Sequence, residues 1–179
     1  MIYTRLADTG HQLFAQAWEL YKKSFPPEER RQLRTQKKIM NHRQYRFNII
    51  TAGDMFAGFI LWWEFDNIRY IEHLATLPHL RGKGYGRRIL ERFVSESDKP
   101  VLLEVEHPAD DISKRRIGFY RRSGFVLNQH EYSHPPYKKG GNYVSLALMT
   151  YPHAISNDDA NRFCRECHPV IHEFVMNRS

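Results

Sequence analysis

Apolar side chains recur along this chain with two different periods, and the alternation between them lays out the elements. Phe14, Trp18, Tyr21 and Phe25 fall at helical spacing. They predict a helix over about 9–25 with its aromatic face on a core and Thr9 as N-cap. Pro26-Pro27 cannot continue that helix, and the charged residues that follow predict a polar second one. Segments 2–7, 45–51, 55–65 and 68–77 predict strands, the middle two joined by a hairpin turn at Gly53-Asp54. A helix over 85–97 is expected to bury Ile89, Leu90, Phe93 and Val94. A short buried strand at 100–106 and a helix over 114–123, stopped by Gly124, come next. Segments 125–132 and 142–151 predict two further strands, with Pro135-Pro136 and Gly140-Gly141 in the loop between them. A last helix runs from 156 to about 176, with Ser156 as cap and Asp159 three residues on.

This order predicts an α/β (α+β) fold. Its core is a mixed, largely antiparallel central sheet of about seven strands flanked by helices. Residues 1–151 make the domain, and 152–179 a C-terminal helical extension packed on it.

Composition narrows the function classes. A chain of 179 residues with 41% hydrophobic residues can bury a core of its own. It has no run of eighteen apolar residues and no signal-peptide start, so a soluble, cytoplasmic protein without a membrane partner is expected. Cys164 and Cys167 are too few and too close for a disulfide framework. The formal charge of +7 favours polyanions such as nucleic acid or a phosphorylated cofactor. No nucleic-acid motif accompanies the basic residues, so nucleic acid is not the expected partner.

The segment Arg81-Gly82-Lys83-Gly84-Tyr85-Gly86-Arg87 joins a strand to a helix. Alternating glycines let the backbone turn tightly. The first amides of the next helix then converge on one point and, with the helix dipole, form an anion site suited to a diphosphate. The spacing is G-x-G-x-G with no Gly-Lys-Ser/Thr ending, which disfavours a kinase-type P-loop and a dinucleotide fold.

Together with a second motif, this loop resembles the GNAT acetyltransferase superfamily. The family pattern Gln/Arg-x-x-Gly-x-Gly/Ala is met by Arg81, Gly84 and Gly86, and Tyr-x-x-x-Gly-Phe by Tyr120, Gly124 and Phe125. The resemblance is tight over about 68–125. It implies acetyl-CoA as co-substrate and a strand before the glycine loop that splays from its neighbour. Backbone at Leu74 and Thr76 would pair with the pantetheine arm, the Leu74 N–H facing the thioester oxygen. Backbone at Arg81, Gly82, Gly84, Gly86 and Arg87 would hold the diphosphate, with Lys83 adding charge. Ser113 stands where many members carry asparagine, and Arg116 is a candidate for the adenosine phosphate.

The resemblance also places the Tyr120 phenol beside the sulfur as general acid. Glu72, in an apolar strand on the face of Tyr70 and Leu74, is the candidate general base; the alternative is a buried carboxylate paired with an arginine. His73 is expected on the opposite face, and Glu104 and Glu106 are reserve candidates. The acceptor, an amine on a small molecule or peptide, should meet the first helices, the Trp62-Trp63 strand and the loop 134–137. Cys164, Cys167, His168 and His172 share one face of the predicted last helix, which rarely wraps a metal, so none is expected. That helix covers the domain's own core or makes a homodimer. The competing reading is a non-catalytic module that binds CoA or nucleic acid.

Overall fold

The computed structural model describes residues 1–176. Among them, eight strands join in one sheet: β1 (Ile2–Leu6), β2 (Tyr45–Ala52), β3 (Met55–Glu64), β4 (Arg69–Thr76), β5 (Val101–Val105), β6 (Val126–Leu127), β7 (Tyr132–His134) and β8 (Val144–Tyr151). The sheet order is β1-β2-β3-β4-β5-β8-β6, with β7 also on β8. Every pairing is antiparallel except β4 with β5. The helices are α1 (Phe14–Ser24), α2 (Leu33–Ile39), α3 (Tyr85–Ser95), α4 (Asp111–Arg122), α5 (Asn157–Glu166), α6 (His168–Ile171) and α7 (Glu173–Met176).

Two apolar layers cover the sheet. On one face Phe14, Leu20 and Tyr21 of α1 pack with Phe47, Phe59, Trp63 and Tyr70 of the sheet, joined by Phe163, Cys167 and Ile171 from the C-terminal segment. On the other, Ile89, Leu90 and Phe93 of α3 and Ile117 of α4 pack on Ile60, Ile71, Leu103 and Met149. The apolar side of the C-terminal segment is thus spent on its own chain.

Three expected elements differ, each for a visible reason. The first helix starts at Phe14, not after Thr9: the Asp8 side chain accepts from the Gly10 N–H at 2.7 Å and holds a turn there. The strand expected over 125–132 is split. At Asn128 the backbone N–H still donates to Leu148 O (2.9 Å) and the side chain adds bonds to Leu148 O (3.2 Å) and Thr150 Oγ1 (3.0 Å), and the pairing ends there. The last helix is three short pieces, and Pro169, with no N–H to give, makes the first of the two breaks. Its expected cap is present, Ser156 Oγ accepting from Asp159 N–H at 3.1 Å.

One irregularity shapes everything below. Across from β3, His73 pairs with Leu61 and Ile71 with Trp62, leaving Glu72 as an extra residue. Such a bulge bends a strand and resets its alternation. Glu72 and His73 therefore point to the same face, with Trp63 and Tyr21 respectively, while Leu74 turns to the other. The expectation that His73 opposes Glu72 and that Leu74 joins it is corrected by this extra residue. β4 pairs with β5 only from Arg69 to Ile71 and parts from it at the bulge.

Candidate active site

The parting of β4 and β5 opens a cleft of about 690 Å³. Leu74 and Thr76 of β4 line it, with Leu103–Glu106 on the β5 side. The Leu77 N–H donates across to Ala57 O on β3 at 3.0 Å. Strand alternation then directs the N–H and C=O groups of Leu74 and Thr76 towards the open side.

At one end the cleft reaches the glycine loop, where Arg81, Gly82, Gly84, Tyr85, Gly86 and Arg87 line it. Gly82 (φ 75°) and Gly84 (φ 79°) lie in the left-handed region, and Gly84 caps α3. Among the described residues no backbone carbonyl accepts from the N–H of Gly82, Gly84, Tyr85, Gly86 or Arg87. These are the orphan donors of a helix start, gathered where the dipole is positive. The third glycine has a different reason: a Cβ on Gly86 would stand 3.1 Å from Phe119, so it lets α3 approach α4.

Three expected contributors do not join this group. The Arg81 N–H is taken by Pro78 O at 3.2 Å, leaving only its side chain free to act. The Lys83 N–H goes to Leu80 O at 3.3 Å, and Lys83 does not line the cleft. Ser113 is buried in a capping box with Asp110, which uses both its N–H (2.7 Å) and its hydroxyl. Arg116 lines the cleft and pairs with Glu106.

Tyr120 stands on the α4 wall between Phe119 and Phe125, ring centroids 5.1 and 5.8 Å away. Burial pushes its phenol up to about 12, so it keeps its proton at neutral pH. Glu72 lies beside the cleft, with its carboxylate sealed away. Oε1 pairs with Arg31 and accepts from Tyr137 Oη at 2.9 Å, and Oε2 accepts from Trp63 Nε1 at 3.2 Å. Both side chains of the ion pair are fully buried. Glu72 is thus a buried carboxylate paired with an arginine.

Arg31 stands among the charged residues that follow Pro26-Pro27. It is enclosed by the rings of Tyr45, Trp63 and Tyr137 and donates to Ile171 O at 2.9 Å. Its partners lie 41 and 140 residues away, beyond any local pattern. The opposite end of the cleft is made by Phe25, Glu28, Glu29, His73 and the loop His134–Tyr137. Trp62 and Trp63 do not line it: Trp62 bonds Asn48 and Trp63 is fully buried. Burial raises the Glu29 carboxyl above its usual range, with Glu106 adding to the rise. Among the described residues no three His, Cys, Asp or Glu side chains are grouped to hold a metal ion.

The family model described as the acetyltransferase (GNAT) domain matches residues 43–127. A solved Bacteroides thetaiotaomicron protein assigned to the GNAT family is 35% identical, with 96% of this chain and 98% of that one covered and a TM-score of 0.89. The chain belongs to the GNAT acetyltransferase family. YjbC of Bacillus subtilis (strain 168), assigned as an acetyltransferase, is 31% identical over 68 residues. That match spans 37% of this chain and 35% of YjbC's length. A Bacillus subtilis acetyltransferase solved in complex with CoA shares the fold at 12% identity and a TM-score of 0.54, over 83% of this chain and 95% of that one. The GNAT match of 43–127 ends at Leu127, so β7, β8 and the C-terminal segment lie outside it.

Proposed function

We propose that this chain transfers the acetyl group of acetyl-CoA to a primary amine by direct attack in a ternary complex. One observation carries the reading: an unpaired strand edge leads to unpaired helix-start amides on one side and a protonated phenol on another. An extended pantetheine arm can add to the edge at Leu74 and Thr76 as a further strand would. The amides of Gly82, Gly84, Gly86 and Arg87, with the Arg81 and Arg87 side chains, suit a diphosphate. Arg116, once released from Glu106, would suit a further phosphate.

Acetyl-CoA supplies the thioester. The Leu74 N–H is the donor for the oxygen that gains charge during attack. Tyr120 gives its proton to the departing sulfur. The amine enters from the Phe25–Glu29 and His134–Tyr137 end, where carboxylates favour a cationic acceptor. A small molecule or peptide amine fits this mouth. The reading suits a cytoplasmic enzyme, where acetyl-CoA and free thiols both persist.

Calorimetry with acetyl-CoA, followed by thiol release over a panel of amines, tests this. Expected are saturable heat, amine-dependent thiol release, and an unmodified protein mass when amine is omitted. Salt-dependent nucleic-acid binding without thiol release would replace catalysis by a binding module.

A further inference from the structure

Both Glu72 oxygens are already engaged, by Arg31, Tyr137 and Trp63. Elsewhere on the same cleft, a pair of residues 30 apart in sequence has the arrangement that a base requires. His134, at the end of β7, presents Nδ1 to both oxygens of Glu104 on β5, at 3.0 and 2.8 Å. In a neutral imidazole facing a carboxylate, the proton sits on Nδ1 and the lone pair on Nε2. That Nε2 is buried and has no hydrogen-bond partner among the described residues. His134 and Glu104 both line the cleft.

The orienting carboxylate is itself held. Tyr132 Oη donates to Glu104, and the same hydroxyl lies 2.7 Å from His168 Nε2, which supplies the proton it needs as acceptor. The His134 ring packs on Tyr137 at 4.8 Å between centroids, and Pro135-Pro136 stiffens the turn between them. Burial alone would lower the His134 value, but the charge and hydrogen bond of Glu104 outweigh it, so the ring titrates above its ordinary range. The other charged or titratable groups around it are Glu72 and His73 on β4, Glu29 and Arg31 before α2, His168 and His172 from the C-terminal segment, and Tyr137.

Building on the acetyltransferase reading, we propose that His134, oriented by Glu104, is the catalytic base that deprotonates the acceptor amine. Nε2 takes one proton from the ammonium, whose freed lone pair forms the N–C bond. The C–S bond then breaks and the sulfur takes the Tyr120 proton. The proton left on the new amide nitrogen restores Tyr120 through solvent, and His134 releases its own to water. One proton is released per turnover, as the net reaction requires.

The test is the pH dependence of kcat/KM for the best amine of the panel. The wild type should show an acid limb inflecting above the ordinary histidine value of about 6.5. His134→Gln should lose that limb and fall roughly 100-fold, with acetyl-CoA affinity retained. Imidazole should restore part of the rate to His134→Ala. Glu104→Gln keeps an acceptor for Nδ1 but removes the charge, so it should move the inflection to lower pH, a shift that a purely structural role would not produce. A His134→Gln enzyme within threefold of wild type, or an unmoved inflection in Glu104→Gln, overturns the proposal. So does transfer of the lost limb to Glu29→Gln. Each of these three results leaves the acetyltransferase reading standing, whereas a wild type that releases no thiol with any amine removes both.

Discussion

Tyr120 and Glu72 hold similar places beside the cleft, yet their surroundings give them opposite duties. The Tyr120 ring is enclosed by apolar neighbours that keep its proton on, so it is suited to give that proton up to a stronger base formed in the reaction. Tyr120→Phe should lower kcat about 100-fold while CoA affinity, read by calorimetry, stays nearly unchanged. Unaltered turnover would remove the role. Glu72 instead balances Arg31, a guanidinium with no exposed surface. Glu72→Gln leaves that charge buried and unopposed, at a cost of about 3–5 kcal/mol. Urea unfolding should show this loss. Adding Arg31→Met should recover a good part of it, because the second change removes the orphaned charge. A stable Glu72→Gln protein that lacks only an acid limb would return the base to Glu72.

At the level of elements, the cofactor end and the acceptor end were written into the chain in different ways. The hairpin, the strand before the glycine loop, and α3 and α4 are local patterns, and the glycines announce the anion site within seven residues. The bulge at Glu72 leaves no mark in an apolar strand, because the register it breaks belongs to the partner, β3. The His134–Glu104 pair and the Arg31–Glu72 pair join residues 30 and 41 apart, which no window of sequence connects. Pro169 was a legible signal for breaking the last helix, and that break brings His168 and His172 to His134. The glycine loop separates amides from side chains. Gly84 has open space for a Cβ but a φ of 79°, so Gly84→Ala strains the cap without a clash. It should cost about 1–2 kcal/mol in thermal stability and weaken CoA binding more than tenfold by turning the amides. Lys83→Ala, outside the cleft, should change the CoA Kd less than threefold. Equal CoA binding by Gly84→Ala and wild type would mean that the amides do not hold the diphosphate.

The molecule as a whole carries its acid sensitivity in the histidines packed around the acceptor end. Burial lowers His73 and His168 to about 4 and His172 to about 2. A histidine depressed in the folded state binds its proton first in the unfolded chain. Its stabilising effect is complete above the unfolded value of about 6.5 and is lost as pH falls towards the folded value. His134 runs the other way. Its raised value makes the ion pair with Glu104 stabilising below about 6.5 and lost as pH rises through that raised value, so it adds no slope near pH 5. Near pH 5 His73, His168 and His172 each account for about one proton, together roughly 4 kcal/mol per pH unit. Against a total stability of about 5–15 kcal/mol, such a slope brings unfolding within a few pH units of neutrality. Urea midpoints should therefore fall steeply below pH 6. His172 makes no hydrogen bond through either nitrogen, so His172→Phe removes a titrating group without orphaning a partner. It should reduce the slope by about one proton, and an unchanged slope would show that the acid sensitivity arises elsewhere.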